Sequence, residues 1–347
     1  MKPKILPKFA IFILAVIIAG CTSTSNNQNK EININVGTDG LAAEFVKNAP
    51  PPRVFQDSNF PVVIKIRNGG VFSIPDGSGY LAIGREKDYI PNFEIERSNN
   101  DVKASEEFRD VYTFSVPGKT ALNPKGDEIL ATFTATAAKI DPQSEARTST
   151  ISATLCYPYI TSFSQTVCID TDVIGLRSGK KACSVNINGI TLTGGQGGPI
   201  AVTRIETSMI PKDNLIKPQF LIYVENQGTG QVVDPLSLNK VCGNVALIKE
   251  DIRKTWNIAY LKAFISSGNE ENQLDCCPNP SPDGQCTGDD KRGIIRLRDK
   301  KDFVRCTFPK GIPNSIDSYT SPLRIDLGYG YVQSVPVNFI IQKPITY

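Results

Sequence analysis

Phe60-Pro61-Val62-Val63-Ile64-Lys65-Ile66-Arg67-Asn68-Gly69-Gly70 carries the reading of the fold. Phe60, Val62, Ile64 and Ile66 fall on one side of an extended chain and Lys65 and Arg67 on the other. That is the period-two alternation of an antiparallel strand with one face in a core. Asn68-Gly69-Gly70 then ends the strand with residues that tolerate a turn. The pattern returns at Phe220-Leu-Ile-Tyr-Val-Glu-Asn226-Gln-Gly228, asparagine on asparagine when residues 62–70 are laid over 220–228. Each half of the chain is thus expected to be built around one such strand.

Working outward, the first half offers further short strands at residues 41–46, 80–84, 111–116, 129–137, 151–156 and 163–169, and the second at 200–205, 256–264, 294–297, 303–306, 323–327 and 332–342. Pro, Gly, Asn and Asp fill the gaps, and no amphipathic helix of useful length is legible. Residues 184–192 read as strand-like after a polar stretch at 171–181. Gly194-Gly195-Gln-Gly197-Gly198-Pro199 is a turn rather than a phosphate loop, because a strand-like run follows it where a phosphate loop opens a helix.

The N-terminus says where this body works. Phe9 to Ala19 is an eleven-residue apolar run behind Lys2, Lys4 and Lys8, too short to span a bilayer comfortably and shaped like a secretory leader. Ile18-Ala19-Gly20-Cys21 resembles a lipobox, the lipoprotein signal of bacteria and archaea, which implies that Cys21 becomes the lipidated first residue. The polar run Thr22 to Lys30 then reads as a flexible tether, placing the body just outside the membrane.

Three of the 38 basic residues belong to the leader, leaving 35 against 35 acids. A balanced chain lacks the basic surplus of a nucleic-acid binder, and none is expected as a partner. Histidine is absent, which removes Ser-His-Asp and Cys-His catalysis and histidine-held zinc. Paired-carboxylate chemistry survives in principle, but no pair stands out, so the chain is read as a non-enzyme without a cofactor. The eight cysteines beyond Cys21, at 156, 168, 183, 242, 276, 277, 286 and 306, form an even set in an exported chain and read as four disulfides. Cys168 with Cys183 would close a loop across the link between halves; Cys276 is assigned to Cys306, and Cys277 to Cys286 or Cys242.

The strand-and-turn pattern of the two halves resembles the immunoglobulin-like and cell-adhesion-related sandwich modules of bacterial and archaeal surface proteins. The whole layout is similar to archaeal surface lipoproteins. The resemblance implies an all-β fold of two tandem immunoglobulin-like antiparallel β-sandwich domains behind a lipoprotein signal peptide. The divisions are a leader at 1–20, a tether at 21–36, a first domain at 37–175, a linker at 176–198 and a second domain with a disulfide-rich loop at 199–347.

Three local features bear on binding. Asp283, Asp289 and Asp290 could supply oxygens to calcium, although the EF-hand spacing is missing and a solvated turn is the plainer reading. Tyr157-Pro-Tyr159 and Tyr329-Gly-Tyr331 could offer rings to a glycan or protein, with packing at a sandwich end the plainer reading. Asn279-Pro280-Ser281 is not a glycosylation sequon because of its proline. Residues 332–342, with Val335, Val337, Phe339 and Ile341 on one face and Pro336 between them, read as a terminal edge strand. The expected role is a lipid-anchored, extracytoplasmic structural or adhesive module, held by its lipid to the membrane and binding a protein or glycan at the cell surface. A solute-binding lipoprotein or a carboxylate-pair envelope enzyme are the alternatives.

Overall fold

A computed structural model describes residues 33–96, 101–243, 249–267, 270–278, 285–286 and 289–344. The leader, Cys21, the tether as far as residue 32, Asp283 and the 279–281 tripeptide lie outside them. In chain order the strands are β1 (Leu41–Phe45), β2 (Arg53–Phe55), β3 (Asn59–Asn68), β4 (Ile74–Arg85), β5 (Phe93–Ile95), β6 (Val102–Ala104), β7 (Val111–Val116), β8 (Glu128–Thr136) and β9 (Ala146–Ile169). They continue as β10 (Ile190–Thr191), β11 (Ile200–Lys212), β12 (Leu215–Asn226), β13 (Gln231–Val233), β14 (Ile258–Ser267), β15 (Glu270–Gln273), β16 (Gly293–Arg296), β17 (Lys301–Thr307), β18 (Ile312–Pro313) and β19 (Tyr319–Gln342). Among the described residues the helical elements are one 3-10 turn at Pro235–Ser237 and the short helices α1 (Leu238–Cys242) and α2 (Lys249–Thr255).

Two small sheets, β1-β3-β8-β5 and β10-β11-β12-β17 with β18, accompany one ten-stranded sheet that runs β15-β14-β19-β9-β4-β7-β6 with β2, β13 and β16 attached. Among the described residues all pairings are antiparallel except that of β2 with the end of β19. The alternating strand read first from the sequence is β3, where Phe60, Val62, Ile64 and Ile66 are buried. Phe60 meets Phe339 of β19 at 5.2 Å between ring centres, and Phe133 of β8 meets Tyr112 of β7 at 4.8 Å, so the first small sheet packs against one end of the large one. One continuous apolar core extends from there under the second small sheet.

The two halves share their central strands. β9 and β19 pair along their full 24 residues, from Ala146 against Gln342 to Ile169 against Tyr319. The sequence breaks each of them into two strands, at Tyr157-Pro-Tyr159 and Tyr329-Gly-Tyr331, but both run straight through. Pro158 stands opposite Gly330 and two residues beyond Cys156, the last residue paired to β4, so its missing N–H costs no bond to either neighbour. Residues 34–347 accordingly form one compact unit. Residues 333–342, which the sequence reading places in the second half and at an edge, lie inside the large sheet and complete the first half against residues 146–155. Pro336 faces the gap between β13 and β2 on the far side of β19.

A pseudo-twofold relation organises these contacts around the four tyrosines. Tyr157 pairs with Tyr331 and Tyr159 with Tyr329, and all four are buried where β9 and β19 cross between the lobes. Leu41 N–H donates to Tyr157 Oη at 3.1 Å, and Ile200 N–H donates to Tyr329 Oη at 3.2 Å. Val71 and Phe72 N–H donate to Tyr159 Oη at 2.9 and 3.3 Å, and Gly230 N–H donates to Tyr331 Oη at 2.8 Å. The Asn-Gly turns repeat just as closely. Asn68 Nδ2 donates to Phe72 O at 2.8 Å while its Oδ1 accepts from Gly70 N–H at 3.0 Å; Asn226 Nδ2 donates to Gly230 O at 3.0 Å while its Oδ1 accepts from Gly228 N–H at 3.1 Å. A side chain at Gly70 or Gly228 would run into the hydroxyl of Tyr159 or Tyr331, so glycine is required at both.

Candidate binding groove

The same relation sets β1, β3, β8, β4, β7 and β9 beside β11, β12, β17, β14, β16 and β19. Tyr80 of β4 pairs with Cys156 and with Thr113 of β7, and Tyr260 of β14 pairs with Gly328 and with Ile294 of β16. Thr113 and Ile294 therefore hold equivalent places. They differ in what lies on their outer side. β7 carries β6 there, with Lys103 against Thr113, whereas among the described residues β16 pairs with β14 alone.

A wedge opens at that place. β16 and β17 form the two arms of a hairpin whose turn is closed by mutual backbone bonds between Arg298 and Lys301 at 3.0 and 2.9 Å, with Asp299 and Lys300 both at positive φ. The arms then part company, β16 joining β14 in the large sheet and β17 joining β12 in the small one. Between them lies a recess of about 860 Å³ lined by Tyr223, Pro278, Ile294, Arg296, Arg298, Lys301, Asp302 and Phe303. A smaller recess of about 310 Å³ continues it past Arg305 to Cys276 and Cys277.

The walls are aromatic and cationic. Phe303 is 54% exposed, and its ring lies 5.7 Å from that of Tyr223. Arg204 stacks over the Tyr223 ring, whose hydroxyl donates to Glu206 Oε1 at 3.2 Å. Lys301 is paired with Glu225 at 3.3 Å, and Asp302, the one acid among the lining residues, accepts the backbone N–H of Arg296 at 2.6 Å. The guanidinium groups of Arg296, Arg298 and Arg305 have no acidic partner among the described residues. At the places of Tyr223 and Phe303 the first lobe has Lys65, ion-paired with Glu44, and Leu130.

Disulfides brace the surroundings. Cys276 bridges Cys306 at the floor of the groove and Cys277 bridges Cys286 beside it. Of the two partners open to Cys277 the structure uses Cys286, and Cys242 of α1 instead bridges Cys156 of β9, closing 86 residues and tying the second half to the first. Cys168 bridges Cys183 across the link.

The other residues singled out in the sequence lie apart from the groove. The four tyrosines are buried rather than offered to a ligand, and they sit between the lobes rather than at a sandwich end. Burial pushes Tyr159 and Tyr331 up to about 12 and raises Tyr157 and Tyr329 well above the usual phenol range. Asp290 is held by both forks of Arg292 at 2.8 Å, and the guanidinium depresses its carboxyl to about 2. That carboxylate is engaged by an arginine rather than presented to calcium. No local motif marks the groove residues, although cations or an aromatic recur at every second position in each arm, at Arg296, Arg298 and Lys300 and then, shifted by one across the turn, at Lys301, Phe303 and Arg305. Only the parting of the two arms makes that alternation a site.

No family model and no curated protein matches the sequence. Among solved structures the chain is 8% identical to the C-terminal domain of the AgI/II polypeptide BspA of Streptococcus agalactiae, with a TM-score of 0.21, covering 87% of this chain and 100% of that one. It is 6% identical to a partial N-terminal region of the enterococcal surface protein, with a TM-score of 0.20 and coverage of 85% and 84%. With the secreted serine protease VesC from Vibrio cholerae it shares 8% identity at a TM-score of 0.18, covering 83% of this chain and 49% of that one, about half its length. Likenesses this distant carry nothing about what the chain does.

Proposed function

We propose that the protein is a lipid-anchored module of the cell surface that works by binding, as a structural or adhesive component. The observation that carries this is the groove of the second lobe, an open recess whose exposed aromatic ring and guanidinium groups, without an acidic partner among the described residues, are held on a disulfide-braced sheet edge. Exposed aromatic and arginine side chains are what binding surfaces concentrate. Four disulfides suit an oxidising, extracytoplasmic setting, and the leader ending in Ile-Ala-Gly-Cys21 supplies the route and the anchor. A solute-binding lipoprotein would alternate helices with strands, which this strand-dominated chain does not. A carboxylate-pair enzyme would need two facing acids, and among the described residues the groove lining holds one.

Two arms test the reading. Cys21→Ser should release the body from the membrane fraction or leave the leader uncleaved; a shortened chain that still fractionates with membranes rules out the lipid. The released protein, added back to intact envelopes and cross-linked, should be recovered with an envelope component in saturable amounts. Recovery no greater than that of an unrelated exported protein ends the binding proposal.

A further inference from the structure

The backbone of β16 can be followed amide by amide. Arg292 N–H donates to Asp290 Oδ1 at 3.1 Å and Arg296 N–H to Asp302 Oδ2 at 2.6 Å, both on the outer side of the strand, while Leu297 N–H points inward to Asn257 O at 2.9 Å. Alternation along an antiparallel strand then sends the N–H and C=O of Ile294 outward as well. Carboxylates satisfy the amides on either side of it, but no strand lies beside Ile294 among the described residues. The equivalent backbone of Thr113 is covered by Lys103 of β6, and Ser105 N–H donates to Val111 O at 2.8 Å just beyond.

From this we infer that the free edge of β16 at Ile294 accepts an extended acidic segment of a protein partner, which adds there as a strand in the place that β6 takes in the first lobe. The first lobe supplies the shape of the occupant, a short antiparallel strand running into the wedge between two diverging sheets. Charge supplies its chemistry. The hairpin Gly293 to Thr307 carries five basic residues against two acids, and one of those acids is bonded to a backbone amide. Arg296, Arg298 and Arg305 have no acidic partner among the described residues and would meet carboxylates on alternate residues of an added strand. A second copy of this chain would bring the same cations to the contact and is repelled, the usual protection of an open edge. Phe303 and Tyr223 offer the incoming strand an apolar floor.

This inference rests on the reading of the protein as a binding module, and its test separates the two. The probe is a fluorescent nine-residue peptide alternating Glu and Val, titrated into the full-length protein with Cys21→Ser, beside a Lys-Val peptide and hyaluronan oligosaccharides. The Glu-Val peptide should bind and the Lys-Val peptide should not. Arg296→Gln with Arg298→Gln, two exposed positions that leave the fold untouched, should weaken binding by roughly tenfold, as should raising salt from about 0.05 to about 0.5 M. Ile294→Pro removes the outward amide from a short edge strand and should abolish binding, with intact disulfides and an unchanged circular dichroism spectrum showing that it still folds. Glu-Val binding that survives in folded Ile294→Pro overturns strand addition. Hyaluronan that binds better than the peptide, depends on the arginines and ignores Ile294→Pro makes the groove an acidic-saccharide site and overturns the peptide. If neither probe binds while envelope add-back succeeds, this inference fails and the binding role stands; if add-back fails too, both fall.

Discussion

At the junction the two lobes are nearly superposable in chemistry, and at their outer edges they are opposites. Leu41 and Ile200 donate to equivalent tyrosines, Asn68 and Asn226 close the same turn, and Tyr159 and Tyr331 each accept the amide four residues beyond that asparagine, at distances that agree within about half an ångström. The match stops at the hydroxyl protons, which Tyr159 donates to Gly197 O and Tyr331 to Asn226 Oδ1. Away from the junction the first lobe covers its edges with β5 and β6, from the insertion between β4 and β7, and balances its outer face with the Lys65–Glu44 pair. The second lobe spends the corresponding insertion on β15 and on a cysteine-braced loop, and among the described residues β16 pairs with β14 alone. A repeated unit keeps what both copies need to stay joined. The surfaces that only one copy uses are free to diverge.

Truncating the strand that the lobes share should separate them most drastically. Deleting residues 333–347 removes the ladder partner of residues 146–155 and the Phe339 contact to Phe60, so the first lobe should lose its fold, a cost on the scale of a domain's whole stability of about 5 to 15 kcal/mol. Limited proteolysis read by mass spectrometry should find the first cuts within residues 59–136. First cuts confined to residues 200–312 would mean that the terminal strand belongs to the second lobe after all.

Alkali probes the junction itself, because each lobe contributes two tyrosines to one buried cluster. A tyrosine whose native pKa is raised stabilises the fold fully below the ordinary value of 10 and loses that contribution as pH climbs toward the native value, which is about 12 for Tyr159 and Tyr331. Stability should therefore hold to about pH 9 and fall between about pH 10 and 12, at up to about 1.4 kcal/mol per pH unit for each tyrosine. Denaturant melts across that range should show a single transition for both lobes. Two separating transitions would show that the cluster does not join them.

The smallest effect tests equivalence directly. Gly70→Ala and Gly228→Ala push a methyl group against Tyr159 and Tyr331 in turn, and each should cost about 1 to 3 kcal/mol in denaturant melts. The two losses should match to within a few tenths of a kcal/mol, and a gap above about 1 kcal/mol would make the internal symmetry superficial.

Much of the fold was legible where a local pattern suffices. The alternation of residues 60–66 marked β3 and its inward face, and the shared Asn-Gly endings of residues 62–70 and 220–228 announced the repeat that the hydrogen bonds of Asn68 and Asn226 make concrete. The tyrosine pairs were visible but misplaced. Nothing in Tyr-Pro-Tyr or Tyr-Gly-Tyr tells a strand break from a strand crossing, because a proline is tolerated or not according to which neighbour its missing N–H faces.

The strand-rich class, the twofold repetition and the expectation of export and disulfides are all legible from alternation, turn residues, the N-terminal apolar run and cysteine count, which are properties of neighbouring positions. That the repeats are joined through β9 and β19, that Cys242 reaches Cys156, and that among the described residues no strand lies beside Ile294 on its outer side emerges only from the fold. Those are facts about which distant segments meet. A strand's pattern fixes which face it buries but leaves open which strand pairs along its edge, because every backbone offers the same donors and acceptors.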